Sequence, residues 1–232
     1  MAGLAGREHE VMTLHDVAEY LLLNERTVLK MAQNGEIPAT KVVNQWRFMR
    51  SLVNEWLMYK METLPPHLNT DEEKLKEEVK LHRLAKPELM NLDIVPGDKM
   101  KILGQLTFPM IESKFLTRRK YFLDRLIERE NMMTTALGNG VAVPHPRHPI
   151  PNLFPECAVS IGICRDGTDF GADNGQLVYV FFTVCSSDDA RHLRILAKIA
   201  GFASDRAYVR KLIKAKTPEE ISDIMKEFAS KS

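Results

Sequence analysis

The sequence is poor in cysteine, which narrows the class of protein at once. Its 232 residues include three cysteines, Cys157, Cys164 and Cys185, and no two of them have the spacing of paired metal ligands. All three lie in or beside apolar stretches, so we expect buried, reduced thiols rather than a disulfide framework. Reduced thiols are typical of a cytoplasmic protein.

Long apolar runs are also missing. The longest one, around Leu177 to Cys185, is far shorter than the about 20 residues that a membrane-spanning helix needs. The first ten residues lack the apolar core of a signal peptide. We therefore expect no segment that crosses or enters a membrane.

Net charge is nearly absent, at +1, so the average over the chain says nothing about nucleic acid. The distribution of charge says more. Between residues 26 and 60 there are two acidic residues, Glu36 and Glu55, against six basic ones: Arg26, Lys30, Lys41, Arg47, Arg50 and Lys60. This part of the chain could face an anion, although chance clustering in a neutral protein would give the same count.

Residues 12–60 have the pattern of a small helical unit with a hairpin. Thr13 with Asp16 forms a capping-box pattern that predicts the start of a first helix. Asn24 predicts the start of a second helix, and Gly35 its end in a left-handed conformation. Val- and aromatic-rich residues 41–48 predict a short hairpin that turns at Asn44. A third helix is indicated by apolar residues at helical spacing, Leu52, Val53, Trp56 and Leu57.

These residues resemble the excisionase and MerR-like family of helix-turn-helix proteins. The matching segments are Val17-Ala18-Glu19-Tyr20-Leu21, Arg26-Thr27-Val28, Gly35-Glu36-Ile37-Pro38-Ala39, Trp46-Arg47 and Trp56-Leu57. The resemblance implies that the helix over 25–33 enters the major groove of double-stranded DNA. Its outward residues Arg26, Thr27 and Lys30, with Lys41 and Arg47 of the wing, are then the DNA-binding residues. Each of them could instead be a solvated surface residue.

The organisation of the chain follows from its prolines and its charge. Pro65 and Pro66 lie among polar residues, which is typical of a linker, and Asp71 to Leu84 predicts an exposed, charged helix. We therefore expect a DNA-binding domain over 1–62, a linker with a charged helix over 63–87, and a second domain over 88–232.

The second domain has alternating helical and strand-like segments. Helical spacing covers 99–111, 118–130, 190–202, 208–214 and 218–228, and the apolar segments 158–164 and 177–185 predict strands. Residues 166–175, which are rich in glycine, predict a turn or short hairpin between them. Such alternation is typical of a layered α/β domain.

One segment of this domain has the pattern of a chemically active site. Gly138-Asn139-Gly140 forms a turn pattern before the short apolar strand Val141-Ala142-Val143, and Pro144 and His145 follow. This pattern places an imidazole at a strand end, over a glycine loop that we expect to approach a phosphoryl group. Farther along, His192 lies at the start of a helix with an apolar side.

This domain resembles the enzyme IIA domain of the fructose–mannitol class of the phosphotransferase system, including its nitrogen-regulatory branch. The most specific segments are Glu128-Arg129-Glu130, Gly138 to His145, Gly167 to Gly175 with the strand after it, and His192-Leu193. The resemblance implies a layered α/β/α fold with a mixed central sheet. It also implies that His145 accepts a phosphoryl group from a histidine-containing phosphocarrier protein.

The same resemblance makes His192 the active-site partner and Arg129 the basic clamp, and it requires no metal or other cofactor. Glu128 and Glu130 are expected only to pair with neighbours. One departure stands out, because Pro146 and Arg147 follow the histidine where many transport members have a small residue. This departure argues against sugar transport and predicts an altered surface for the donor protein.

Three functions remain open at this stage. The first is a DNA-binding regulator that responds to its own phosphorylation, either as a homodimer or with a partner. The second is a phosphocarrier for sugar uptake whose N-terminal module binds a protein. The third is an IIA-like domain that has lost phosphoryl transfer, which the presence of His145, His192 and Arg129 argues against.

Overall fold

The computed structural model describes residues 11–62, 79–172 and 174–231. The first of these ranges forms a helix-turn-helix unit with a small antiparallel sheet in the order β1-β3-β2. Its elements are β1 (Val11–Met12), α1 (Leu14–Tyr20), α2 (Glu25–Gln33), β2 (Thr40–Val42), β3 (Gln45–Met49) and α3 (Arg50–Glu62).

The local signals in this unit act as the sequence predicts. Thr13 and Asp16 form a reciprocal capping box at the start of α1, and Asn24 Oδ1 accepts a hydrogen bond of 2.9 Å from the Arg26 amide at the start of α2. Gly35 follows α2 with a φ of +70°. The wing, which consists of β2, β3 and their turn, reverses at Asn44 with a φ of +61°. Strand β1 is an element that the sequence pattern did not indicate.

The second unit is built on a four-stranded sheet in the order β4-β5-β7-β6. Strand β7 is parallel to β5 and antiparallel to β6, and β4 is antiparallel to β5, so the sheet is mixed as expected. The strands are β4 (Ala136–Gly138), β5 (Val141–Ala142), β6 (Ala158–Thr168) and β7 (Val178–Cys185). Its helices are α4 (Leu81–Leu84), α5 (Lys99–Leu106), α6 (Phe108–Glu112), α7 (Arg119–Met132), α8 (Asp189–Ala203), α9 (Arg206–Lys214) and α10 (Pro218–Lys231).

Helices cover both faces of this sheet, which confirms the layered α/β/α prediction. Alternate side chains of β7 point to opposite faces. Phe182 joins an apolar core with α8, α9 and α10, while Phe181 joins a second core with α5, α6 and α7. Cys157, Cys164 and Cys185 are buried and free, as predicted. Burial raises the pKa of the Cys164 and Cys185 thiols, which keeps them protonated.

Two predicted elements differ from the structure. The expected helix over 99–111 is broken into α5 and α6, because Pro109 lies at the start of α6 and has no amide proton for a continuous helix. The expected strand over 158–164 continues to Thr168, so part of the predicted glycine-rich turn is strand. The linker prolines and most of the predicted charged helix lie outside the described residues, and the domain boundaries at 62 and 87 stay a prediction.

The two units are in contact through α8. Leu193 packs against the core of the helix-turn-helix unit, and Met49 and Leu52 of that unit belong to the same apolar cluster as Leu196 and Ala200. Over the ranges that the structure covers, no helix has the length and apolar character to cross a membrane.

Candidate functional site

His145 lies where two parallel strands end. Strands β5 and β7 run parallel with Ala142 opposite Phe181, so their carboxyl ends meet at one edge of the sheet. The Val184 amide donates a hydrogen bond of 3.1 Å to the Pro144 carbonyl, which ties the residue before His145 to the end of β7. Crevices at the carboxyl ends of parallel strands are common ligand sites in α/β folds.

A backbone contact fixes the orientation and tautomer of the His145 ring. The side chain is 1% exposed, and Nδ1 lies 2.6 Å from the Val143 carbonyl oxygen. Because a carbonyl oxygen can only accept, Nδ1 is the nitrogen that carries the proton. In the neutral ring Nε2 therefore has the lone pair, and Nε2 is the atom that can act as a nucleophile.

His192 lies beside His145, as the sequence predicts. It is in the first turn of α8, where its amide donates to the Asp188 carbonyl and the Asp188 side chain caps the Arg191 amide. The centroids of the two imidazole rings are 5.2 Å apart and the ring planes are inclined by 59°. His192 is 4% exposed, so both imidazoles lie in a largely dehydrated site at the amino end of a helix.

Arg129 lies in the last turn of α7. Its guanidinium is buried, with 4% exposure for the residue, and Nη1 donates a hydrogen bond of 2.7 Å to the Met133 carbonyl. Two residues farther along, the Thr135 carbonyl accepts a hydrogen bond of 2.9 Å from the Val143 amide. Arg129 is thus anchored to the segment between α7 and β4, which is hydrogen-bonded at Thr135 to the segment holding His145.

Glu130 has a larger role than the sequence pattern indicates. Its carboxylate is 2% exposed and accepts hydrogen bonds from the Thr135 amide and hydroxyl, at 3.2 and 2.6 Å. Lys99 Nζ lies 3.1 Å from the same carboxylate. Glu128, by contrast, forms an exposed pair with Arg125, as expected. A carboxylate directly beside Arg129 was the available signal, but sequence alone could not show that it is buried.

The prediction that the glycine loop approaches a phosphoryl group is wrong. Asn139 and Gly140 form the turn between β4 and β5, with φ of +52° and +77°. The Gly140 carbonyl bonds to the amides of Tyr179 and Val180 at the beginning of β7, whereas His145 lies at the other end of that strand. A Cβ at Gly140 would come within 2.8 Å of the Tyr179 ring. Glycine is needed here for close packing of a tight turn.

The residues after His145 also have defined places. Pro146 is buried, Arg147 is half-buried and donates to the Met132 sulfur at 3.4 Å, and His148 is exposed. The departure from a small residue at position 146 therefore adds a rigid, buried ring next to the site.

The predicted DNA-binding residues fall into two groups. Arg26, Thr27 and Lys30 are exposed on α2, and Lys41 is exposed on the wing. Arg47 is half-buried, and Nη1 donates 3.0 Å to the Trp46 carbonyl while Nη2 bonds to the Gln45 side chain. Arg47 also lines a cavity of about 240 Å³ between the wing and α8, together with Ala197 and Ala200.

The sheet, its two helical layers and the paired histidines define a phosphotransferase-type IIA domain joined to a helix-turn-helix domain. The chain belongs to the EIIA 2 family of the phosphoenolpyruvate-dependent sugar phosphotransferase system, whose family model matches residues 83–228. Residues 11–58 match a helix-turn-helix domain.

Relatives come from both the sugar and the nitrogen branches. The mannitol-specific enzyme IIA component of Geobacillus stearothermophilus is 35% identical over 46% of this chain and 71% of its own length. The fructose-specific EIIABC component of Bacillus subtilis is 22% identical over 64% of this chain, which spans only 23% of that protein. The nitrogen regulatory protein IIA-Ntr of Neisseria meningitidis is a structural neighbour with a TM-score of 0.55, 25% identity, and coverage of 62% of this chain and 97% of that one.

Proposed function

We propose that this chain is a DNA-binding regulator whose His145 accepts a phosphoryl group from a histidine-containing phosphocarrier protein. The observation that carries the proposal is the His145 ring itself. Its Nδ1 is bonded to the Val143 carbonyl, and the His192 ring lies 5.2 Å away, in a chain that also contains a helix-turn-helix domain. A sugar-transport component would not need a DNA-binding domain.

The transfer is a displacement at phosphorus between two imidazoles. The His145 Nε2 lone pair forms the new N–P bond while the bond from phosphorus to the donor histidine breaks and returns its electron pair to that ring. Positive charge develops on the His145 ring as the bond forms. The Val143 carbonyl oxygen, which lies 2.6 Å from Nδ1 and accepts its hydrogen bond, stabilises this charge. One phosphoimidazole is converted into another with little driving force, so we expect the step to be reversible.

The neighbouring groups stabilise the phosphoryl oxygens. Charge in the transition state spreads over three equatorial oxygens. In the proposal, His192 donates a hydrogen bond to them, and the amide groups of the first turn of α8 add favourable partial charge. Arg129 supplies a full positive charge from a buried position, which is stronger than a solvated one.

Labelled phosphoenolpyruvate, enzyme I and the phosphocarrier protein test the acceptor assignment on the full chain. We expect acid-labile, base-stable label on the wild type and none on His145→Ala. The matched control is His148→Ala, which removes an exposed histidine three residues away and should leave labelling unchanged. Label that persists on His145→Ala would refute the assignment.

The second candidate is a sugar phosphocarrier with a protein-binding N-terminal module, and the mannitol and fructose relatives favour it. Binding of duplex DNA distinguishes the two. A chain that is labelled on His145 but shows no salt-dependent binding to DNA would support the second candidate.

A further inference from the structure

Helix α8 contributes a residue to the candidate phosphoryl-transfer site and also contacts the helix-turn-helix unit. His192 lies in its first turn, and the next residue, Leu193, packs against the core of the helix-turn-helix unit. Arg194 Nε would be 3.8 Å from a Cβ placed on Gly35, which follows α2. His192, which lies beside His145, and Leu193, which contacts the helix-turn-helix unit, are therefore consecutive residues of α8.

The wing is closely packed against the other half of α8. A Cβ on Gly201 would lie 2.7 Å from the Thr40 hydroxyl oxygen and 3.5 Å from the Thr40 Cβ. A Cβ at position 201 therefore requires the Thr40 side chain to rotate or β2 to shift. The apolar cluster of the second unit continues into Met49 and Leu52, which are 8% and 3% exposed. The contact is thus apolar and well packed at Met49 and Leu52 and leaves a cavity of about 240 Å³ beside Thr40 and Arg47.

The face of the wing that contacts α8 is the face that carries Arg47. Thr40 and Arg47 are directly opposite in the β2–β3 pairing, so their side chains lie on the same side of the hairpin. Both residues line the cavity between the wing and α8. A wing in this position presents Lys41 to solvent, whereas Arg47 is half-buried, lines the cavity beside α8 and bonds within the wing to the Trp46 carbonyl and the Gln45 side chain.

We propose that α8 is an intramolecular docking surface for the wing, that duplex DNA competes with α8 for it, and that phosphorylation of His145 releases it. This inference rests on the proposed function, because it takes His145 as the phosphoryl acceptor and the wing as a DNA contact. The docked wing has an incomplete DNA-binding surface, since Arg47 is half-buried at the cavity between the wing and α8. The released wing offers Arg47 together with Arg26, Lys30 and Lys41.

The direction of the coupling follows from the geometry of the two histidines. A phosphoryl group on His145 adds about −1.5 to −2 charges and needs space beside the His192 ring, whose centroid is 5.2 Å from that of His145. His192 has to adjust to the group, and the first turn of α8 adjusts with it. Leu193 then shifts in its contact with the helix-turn-helix core. Close-packed interfaces respond to such shifts by switching between arrangements, not by gradual deformation.

A reversible crosslink tests the docking and its coupling in the full chain. The 3.5 Å between the Cβ positions of Thr40 and Gly201 falls in the range of disulfides, about 3.5–4.5 Å. The variant Thr40→Cys/Gly201→Cys should therefore crosslink under mild oxidation, since the three native cysteines are buried. After phosphorylation by enzyme I, the phosphocarrier protein and phosphoenolpyruvate, we expect crosslinking to slow at least about fivefold, the lower end of typical coupling between sites.

Two controls accompany the crosslink, and a binding measurement tests the competition with DNA. Adding His145→Ala to the two cysteines should make the rate insensitive to the phosphoryl donor. Each single-cysteine variant should give no crosslink. Anisotropy of a fluorescein-labelled, mixed-sequence duplex measures competition, and we expect the oxidised form to bind at least about fivefold more weakly than the reduced form.

A second variant avoids cysteines altogether. Gly201→Ala favours the helical conformation of α8 but places a methyl group 2.7 Å from the Thr40 hydroxyl oxygen. We expect it to displace the wing and to strengthen DNA binding without phosphorylation. Adding Thr40→Gly removes the collision and should restore wild-type binding.

Each outcome decides one part of the proposal. Failure of the double-cysteine variant to crosslink in either state overturns the docking. Equal crosslinking rates on protein with verified label overturn the coupling, and equal DNA affinity of oxidised and reduced protein overturns the competition. Absence of label on His145 overturns the proposed function and the phosphate-dependent release with it, while the crosslinking yield still decides the docking.

Discussion

At the scale of single residues, the site depends on which nitrogen of the His145 ring is engaged. The Val143 carbonyl holds the His145 proton on Nδ1, so reactivity is confined to Nε2. The position of that carbonyl depends in turn on the Val143–Thr135 pairing, and Thr135 is held by Glu130. A chain of hydrogen bonds therefore runs from a buried carboxylate to the reactive ring, and each group in it positions the next.

We predict that His192→Ala slows phosphorylation of His145 without abolishing it. The His192 ring orients and stabilises the phosphoryl group but forms no bond to phosphorus. Removal of one stabilising hydrogen-bond donor in comparable sites costs about 10²–10³ in rate. Rapid-quench measurement of label transfer checks this, and a rate equal to that of the wild type would make His192 a purely structural residue.

We predict that Glu130→Ala destabilises the fold by about 1–3 kcal/mol, the usual cost of leaving buried donors unsatisfied. The variant removes the acceptor of the Thr135 amide and hydroxyl and the partner of Lys99. Phosphorylation should also slow, because Thr135 positions the Val143 segment. Chemical denaturation and label transfer give the two readouts.

Glu128→Ala is the matched control for this prediction. It removes a carboxylate two positions away that is 55% exposed and pairs with Arg125 at the surface. Exposed pairs contribute about 0–1 kcal/mol, so stability and transfer rate should change little. Equal effects of the two variants would mean that burial of Glu130 has no special importance.

At the scale of elements, helices α9 and α10 are joined by one cluster of polar groups. The Glu227 carboxylate accepts hydrogen bonds from Lys211, Lys231 and Tyr208 at 2.6, 2.8 and 3.1 Å. These contacts, with that from Lys211 the largest, lower the pKa of Glu227 to about 2 from its ordinary 4.5. A depressed pKa in the folded state means that the ionised carboxylate stabilises the fold.

We predict that Glu227→Gln lowers the thermal midpoint at neutral pH and that this difference vanishes in acid. The stabilisation is fully present above the unfolded pKa of 4.5 and is lost as pH falls from there through about 2. Thermal unfolding of both proteins between pH 2 and 7 checks the window. The matched control is Asp223→Asn, which removes an exposed carboxylate paired with Lys226 on the same helix and should lower the thermal midpoint at neutral pH less than Glu227→Gln.

Elements with strong local signals could be predicted from sequence, and elements made by tertiary contacts could not. The caps at Thr13 and Asn24 and the left-handed Gly35 are local, and all three are confirmed. Strands β1 and β4 have two and three residues, and each depends on a partner strand that is distant in sequence or follows a turn. Too few residues lie in them for periodicity to appear.

The candidate site also contains residues whose roles could be predicted from sequence and residues whose roles could not. The pairing of His145 with His192 was predictable because both residues belong to recognisable segments, and the structure brings their rings together. The buried role of Glu130 and the half-buried position of Arg47 arise from long-range packing, which leaves no mark on the local pattern. The glycine motif was misjudged because close packing against Tyr179 and approach to a ligand both require glycine.

At the scale of the whole molecule, one short recognition helix and one wing make a small DNA-binding surface. Arg26, Thr27, Lys30 and Lys41 are its predicted exposed members, and Arg47 is half-buried beside α8. So few cations give weak, salt-dependent binding. Two copies would double the contacts and set half-sites about one helical turn apart. We therefore expect useful affinity only from a homodimer or with a partner.

We predict that Arg26→Ala and Lys30→Ala each weaken binding to duplex DNA and flatten its dependence on salt. Each lost phosphate contact should reduce the slope of log affinity against log salt by about 0.9. A residue that reads a base edge would instead lose affinity with little change in slope, so the two variants also separate positioning from base contact. Anisotropy titrations at several salt concentrations give the slopes. Arg210→Ala, which removes an exposed cation of α9, is the control and should leave the slope unchanged. DNA binding that is indifferent to both α2 substitutions would exclude α2 as the recognition helix, and the absence of salt-dependent binding by the wild type would assign the N-terminal unit to a protein partner.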